Sequence, residues 1–306
     1  MIAAVTGATG FIGQRLLARL LDAGTFSEVR VLTRRARPVE RARVFGGDLV
    51  TGALEPLLDG ANVVFHCAGE VRDEARMRSV HIEGTERLLA AARGRVSRWV
   101  QLSSVGTYGQ SRRAGVVDEA APLAPEGEYE RTKAQADALV GRESGISTVV
   151  VRPSIVFGPG MPNRSLYELI GVVDRGLFFF VGHGAIANYV YVDDVAAALA
   201  LCGTSPRATG VYNLSDDRPL EQFIGAIARE LGRPAPRLRI PEPAARFAAL
   251  ALRRVARTPL TPARVAALTR AVRYSSERIR THLGFTFSVS IEEGLRRLIR
   301  EWRAGR

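Results

Sequence analysis

A chain of 306 residues with 46% hydrophobic composition can bury a full core, which excludes disordered and fibrous classes and suits one large domain or two closely joined ones. The formal charge of +12 favours anionic partners, but the arginines are scattered rather than gathered with aromatics into a stripe, which argues against nucleic acid. Cys67 and Cys202 lack metal-ligand spacing, no apolar run reaches the roughly 18 to 20 residues of a spanning helix, and the N-terminus has no basic leader; a soluble, cytoplasmic protein without stable membrane insertion is expected.

Residues 2–24, IAAVTGATGFIGQRLLARLLDAG, read as a buried strand, a glycine turn and a helix whose Leu16, Leu17, Leu20 and Leu21 recur at helical spacing until Gly24. EVRVLTRR (28–35) is a second strand and ANVVFHCAG (61–69) a third, followed by a helix from HIEGTERLLAAARG (81–94). SRWVQLSS (97–104) is a strand, YERTKAQADALVGRESG (129–145) a helix, and STVVVRPSIVFG (147–158) one further strand. Apolar strands alternating with helices predict a parallel sheet covered on both faces. Beyond Gly158 the alternation loosens; NYVYVDDVAAALALCG (188–203) and GVYNLSDDRPL (210–220) return to the sheet, and the remainder is mainly helical. The expected plan is a nucleotide-binding domain, 1–157 completed by about 187–215, and a substrate lobe from 158–186 and 216–306.

The turn TGATGFIG spaces Gly7, Gly10 and Gly13 so that bare backbone can meet a pyrophosphate at the positive N-terminus of the next helix, with Thr9, Phe11 and Ile12 in the same turn. Where an acidic residue at the end of strand two would bind an adenosine ribose, this chain has Thr33, Arg34 and Arg35, which favours NADP(H) over NAD(H).

Lys133 is the only lysine in the chain; arginine fills every other cationic position apart from histidine. Its compact ammonium reaches where a planar guanidinium does not. Tyr129 lies four residues earlier, on the same helix face, where the ammonium is expected to lower the phenol's pKa from about 10 toward a value useful for proton transfer.

With TGATGFIG, GGDL, VVFHCAG, HIEGTERLLAAA, LSSVGTYG, YERTK, RPSIVFGPG, YVYVDDVA and YNLSDD in order along nearly the whole chain, the sequence resembles the extended short-chain dehydrogenase/reductase family, in its NAD(P)-dependent epimerase/dehydratase branch. The resemblance implies an α/β, Rossmann-like doubly wound parallel sheet with a smaller, mainly helical C-terminal substrate lobe. It implies Tyr129 as general acid/base, Lys133 as the cation on the nicotinamide ribose, and Ser104 as the hydroxyl on the reacting oxygen. It places Asp48 and Leu49 at the adenine, Ala68 and Gly69 on the adenosine side, and Leu102, Ser103, Pro153, Ile155 and Val156 toward the nicotinamide. Val105, Asn163, Arg164 and Arg218 are the substrate candidates, and a homodimer is the implied assembly.

Three departures narrow the activity. Val105 and Gly106 stand where sugar dehydratases carry an acidic pair; His81 replaces an asparagine and reads as a buried histidine satisfied by backbone; Ala187 and Asn188 stand where many nucleotide-sugar epimerases have an arginine. Three functions are carried forward. The first is reduction or epimerisation of a nucleotide sugar, as in polysaccharide biosynthesis, with Arg164, Arg175 or Arg218 compensating for the missing arginine. The second is reduction or oxidation of a bulky apolar ketone or alcohol, with GLFFFVG (176–182) and RFAALALRRVAR (246–257) lining the pocket, the latter also suited to an anionic membrane surface. The third is an NADP-binding regulator without turnover, against which the joint presence of Tyr129, Lys133 and Ser104 argues.

Overall fold

The computed structural model describes residues 1–34, 38–109, 114–251 and 261–305, so Arg35 and the 252–257 end of the RFAALALRRVAR stretch lie outside the described residues. Seven short strands make the central sheet: β1 (Ile2–Thr6), β2 (Glu28–Thr33), β3 (Arg43–Gly46), β4 (Val63–His66), β5 (Arg98–Leu102), β6 (Ser147–Pro153) and β7 (Gly210–Leu214). Their spatial order is β7-β6-β5-β4-β1-β2-β3, and every pairing is parallel. Such a sheet needs cover on both faces, which is why these strands are apolar throughout rather than alternating.

One face packs on α1 (Phe11–Asp22) and α4 (Val192–Thr204), where Leu16, Leu20, Val195 and Leu199 meet Val5, Val31 and Phe65. The other packs on α2 (Gly84–Ala92) and α3 (Glu128–Gly141), where Leu88, Leu89 and Val140 meet Ala4, Val64 and Trp99. The chain runs outward from β1 in both directions, so the crevice of this topology opens beyond the C-terminal ends of β1 and β4. The expected doubly wound parallel sheet is therefore what the chain forms.

Two expectations change. The apolar run 147–158 does not form a single strand: Ser154 N donates to Leu214 O at 2.9 Å as the last bond to β7, and Ile155 N turns to Asn188 O at 3.2 Å. Ile155–Phe157 then pairs with Tyr189–Tyr191 outside the main sheet. Strand β3 was not anticipated, nor was the parallel pair Ala114–Val117 with Ala271–Tyr274, which ties the segment after Tyr108 to the C-terminal part of the chain.

A second apolar core joins Phe157, Ile170, Phe180 and Tyr191 to Phe223 and Ile227 of α5 (Leu220–Leu231) and to Leu295, Leu298 and Ile299 of α6 (Ile291–Ala304). Helix α5 stops at Gly232, whose φ of 71° is the left-handed conformation that closes a helix, and α6 starts where Ser290 accepts a hydrogen bond from Glu293 N. Each fully buried leucine on these faces contributes about 1.5–3 kcal/mol. Among the described residues no helix is long and apolar enough to cross a membrane.

Candidate active site

The glycine turn is shaped by close approach. Gly7 has φ +71°, and a Cβ there would lie 2.5 Å from Ala68 N; a Cβ on Gly13 would lie 2.0 Å from Gly7 O. Helix α1 opens at Gly10 with no side chain capping it and no acidic residue in its first turn, so its leading amides face the crevice unopposed. This is the arrangement that receives a dinucleotide pyrophosphate.

A cavity of about 260 Å³ begins at this turn. It brings together Gly7, Thr9, Gly10, Thr33, Arg34, Asp48, Leu49, Ala68 and Gly69 from the sequence-based set. Thr6, Leu32, Gly47, Val50, Cys67, Glu70, Arg76 and Val80 complete the lining; most of these neighbour the motif glycines and strand ends, whereas nothing in the sequence pattern marks Arg76. Asp48 uses one carboxylate oxygen to accept Val50 N at 2.8 Å, leaving the other for a ligand. Arg34 is exposed and forms no ion pair among the described residues. Burial pushes the Cys67 thiol up to about 12, so it lines the cavity as a neutral group. The bare glycine cradle and uncapped helix end fit the adenosine-pyrophosphate half of NAD(P).

Phe11 and Ile12 turn away from this cavity and pack against the second core. Leu102 contributes its carbonyl, and Pro153 closes β6 opposite Leu214. Ile155 is exposed and Val156 half-buried just beyond it. Ser103 points its hydroxyl the other way, donating to Asp137 Oδ2 at 2.8 Å.

Helix α3 carries Tyr129 and Lys133, the pair expected to handle the proton. Lys133, buried, donates from Nζ to Leu102 O at 2.9 Å, and a Cβ on Gly69 would sit 3.4 Å from that nitrogen, so the amine meets the cavity wall with two protons unspent. Burial lowers its pKa while Asp137, one turn on, opposes the shift. Tyr129 is half-buried, and its hydroxyl has no partner among the described residues. Its pKa is pushed up to about 12, first by burial and then by the carboxylates of Glu130 and Asp137. The expected lowering is thus corrected: the ammonium is drawn to Leu102 O, and carboxylates rather than the amine act on the phenol.

Ser104, two residues beyond the end of β5, caps the short turn Val105–Tyr108, its Oγ accepting Gly106 N at 3.0 Å while its own proton has no acceptor among the described residues. The four substrate candidates are not brought to one pocket. Val105 is buried among Tyr108, Val117, Val272 and Tyr274. Asn163 Oδ1 accepts Ser165 N at 2.8 Å at the start of the helix Ser165–Asp174, with Arg164 exposed beside it. Arg218 pairs with Asp216 at 3.1 Å in a separate cavity of about 540 Å³ that shares no lining residue with the first.

Behind Lys133 lies a buried pair that sequence reasoning missed. Arg152 Nε meets Asp137 Oδ2 at 2.9 Å, and Arg152 Nη1 donates to Tyr108 Oη at 3.0 Å, which donates to Asn213 Oδ1 at 2.9 Å. Burial raises the Asp137 pKa against the pull of Arg152. Its spacing of four from Lys133, on the same helix face, was the available signal. His81 is buried as expected, but only one of its two bonds is to backbone: Glu70 N donates to Nε2 at 2.9 Å, and Nδ1 lies 2.8 Å from Thr132 Oγ1.

The chain is similar across its length to proteins of known activity. A 4-hydroxy-2-methyl-3-oxo-4-farnesyl-3,4-dihydroquinoline-1-oxide ketoreductase from Stigmatella aurantiaca is 31% identical, the match covering 98% of this chain and 96% of that protein. A 3 beta-hydroxysteroid dehydrogenase/Delta 5-->4-isomerase from Mycobacterium tuberculosis is 31% identical over 79% of this chain and 73% of its own. In three dimensions the UDP-glucuronic acid 4-epimerase from Bacillus cereus, solved in complex with NAD, superposes with a TM-score of 0.77 at 20% identity, covering 99% of each chain, a likeness of fold. The NAD dependent epimerase/dehydratase family matches residues 3–215, the span that holds the glycine turn, Ser104, Tyr129 and Lys133. The chain therefore belongs to the NAD-dependent epimerase/dehydratase family of extended short-chain dehydrogenases/reductases, and is an NAD(P)-dependent oxidoreductase or epimerase.

Proposed function

We propose that the protein is an NADP(H)-dependent ketoreductase acting on a carbonyl of a bulky, largely apolar substrate. The observation that carries this reading is the state of Asn188. At the position where many nucleotide-sugar epimerases present an arginine to the diphosphate, its amide donates to Asp217 Oδ1 and to Val272 O, each at 2.9 Å, and so is committed within the fold. Arg218, the cation nearest in sequence to its partner Asp217, is held by Asp216. The full-length likeness to a ketoreductase of a farnesylated quinoline oxide supports the same substrate class.

In this reading a bound nicotinamide supplies the hydride. Tyr129 donates its proton to the carbonyl oxygen, and Ser104 donates a hydrogen bond to the same oxygen. Lys133, anchored on Leu102 O, uses its remaining protons on the ribose. Arg34 and Arg76 in the cavity lining favour a 2'-phosphate, and the second core with its helices serves as the substrate lobe. A homodimer belongs to the same proposal.

The test is NADPH and NADH oxidation with a 2-alkyl-3-oxoalkanoate, a 3-ketosteroid and a UDP-4-keto sugar, alongside mass spectrometry of nucleotides released on denaturation. Turnover of the apolar ketones with NADPH is expected. Turnover confined to the UDP-sugar, with stoichiometric NAD retained by the protein, would establish the epimerase reading instead, and absence of hydride exchange in wild type and Tyr129→Phe alike, with the dinucleotide still bound, would establish a regulator.

A further inference from the structure

His81 lies in a widened turn, Ser79–Glu83, a π-helical segment running into α2, and is 1% exposed. Both ring nitrogens are engaged. Because the Glu70 amide can only donate, Nε2 must accept its bond, so the ring proton sits on Nδ1 and is donated to Thr132 Oγ1. Thr132 in turn donates to Glu128 O at 2.8 Å, in the first turn of α3. The ring also stands edge-on to the Tyr129 ring, centroids 5.6 Å apart at 79°.

A second branch reaches the same residue from below. Ala68 N donates to Thr6 Oγ1 at 3.3 Å, Thr6 Oγ1 meets His66 Nδ1 at 2.6 Å, and His66 Nε2 meets Thr85 Oγ1 at 3.0 Å. Thr85 Oγ1 then donates to His81 O at 2.5 Å. Ala68 and Glu70 flank Gly69, where a Cβ would lie 3.3 Å from His81 Nε2 and 3.4 Å from Lys133 Nζ. Backbone and ring of His81 are thus tied to both sides of the loop that lines the cofactor cavity, and the ring is tied to the helix that carries Tyr129 and Lys133.

Resting on the proposed roles of Tyr129 and Lys133, we infer that His81 is a positioning residue that registers the first turn of α3 against the cofactor loop 68–70, setting the plane of the Tyr129 ring relative to the cavity. Burial and the Lys133 charge push its pKa down to about 3, so the ring stays neutral and keeps one tautomer through the working pH range. Asparagine at this position lacks the length to make both ring bonds; histidine spans Glu70 N and Thr132 Oγ1 at once.

The experiment compares wild type with His81→Phe, which keeps ring volume but makes neither bond, His81→Gln, which restores an acceptor for Glu70 N, and Thr132→Val. In His81→Phe, kcat is expected to fall about tenfold to a hundredfold with KM for the ketone little changed, as for a small misplacement of the proton donor. His81→Gln recovers part of that loss, and the double variant His81→Phe/Thr132→Val is no worse than the poorer single one. Independently of turnover, the Glu70 amide exchanges with solvent at least tenfold faster in His81→Phe while the Val64 amide does not. Unchanged kcat per folded molecule, or unchanged Glu70 exchange, overturns the inference, and additive losses do so too. Should Tyr129→Phe prove fully active, the proton-transfer reading fails by itself, and Glu70 exchange still decides whether His81 clamps the loop.

Discussion

The raised pKa of Tyr129 has a measurable consequence for the direction of catalysis. Moving the phenol from its ordinary value near 10 to about 12 disfavours the phenolate by about 2.7 kcal/mol, at 1.36 kcal/mol per tenfold. In the proposed reaction the tyrosine at neutral pH therefore holds the proton that reduction of a carbonyl consumes, and oxidation of the alcohol has to begin from a scarce phenolate. Alcohol oxidation by the holoenzyme should rise about tenfold per pH step between pH 6 and 9, while ketone reduction stays flat over that range. In the cofactor-free protein, the phenolate absorbance lost on Tyr129→Phe should titrate near pH 12. Glu130→Gln, which removes the second cause of the shift, should bring that midpoint down. The linkage has one sign: a folded-state pKa above the unfolded one gives stability that is full below pH 10 and lost as pH rises toward 12, a loss that Tyr129→Phe should lessen. A difference spectrum titrating at pH 10 or lower, or equal pH slopes in the two directions, would refute this reasoning.

Arg34→Ala should weaken NADPH binding about tenfold to a hundredfold, the worth of one charge-assisted hydrogen bond, and leave NADH nearly untouched; equal losses in a fluorescence titration would count against a 2'-phosphate at this wall. Gly7→Ala forces a Cβ to within 2.5 Å of Ala68 N at a φ of +71°, so dinucleotide binding should be lost together with thermal stability, and an intact Kd for NADPH would contradict the cradle. Arg152→Met strands the buried Asp137 carboxylate and should cost about 3–5 kcal/mol in urea unfolding. Most of that loss should return in the double variant with Asp137→Leu, because the penalty comes from an unpaired charge rather than from a missing contact.

What could be read ahead of the structure divides by the range of the interaction involved. The glycine turn was legible because Gly7, Gly10 and Gly13 act within one strand-turn-helix unit, and Tyr129 and Lys133 because a spacing of four is a property of one helix. Strand β3 escaped because RVFG is four residues on a half-exposed sheet edge, too short for any period to show. The break at Ser154 escaped because nothing in the run VVVRPSIVF changes its apolar character; the strand ends where Leu214 and then Asn188, dozens of residues away, offer the next carbonyls. The same distance separates the legible chemistry from the illegible substrate. Asn188 is silenced by Asp217 and Val272, Val105 is buried by Val117 and Tyr274, and Arg218 is turned into a different cavity. The phenol's pKa was misjudged for a related reason: helix spacing places the ammonium near the tyrosine, but the carbonyl that claims it belongs to Leu102 on β5. Local spacing therefore marks the atoms proposed to move a proton, whereas long-range bonds set how tightly that proton is held and, in the same proposal, which molecule reaches it.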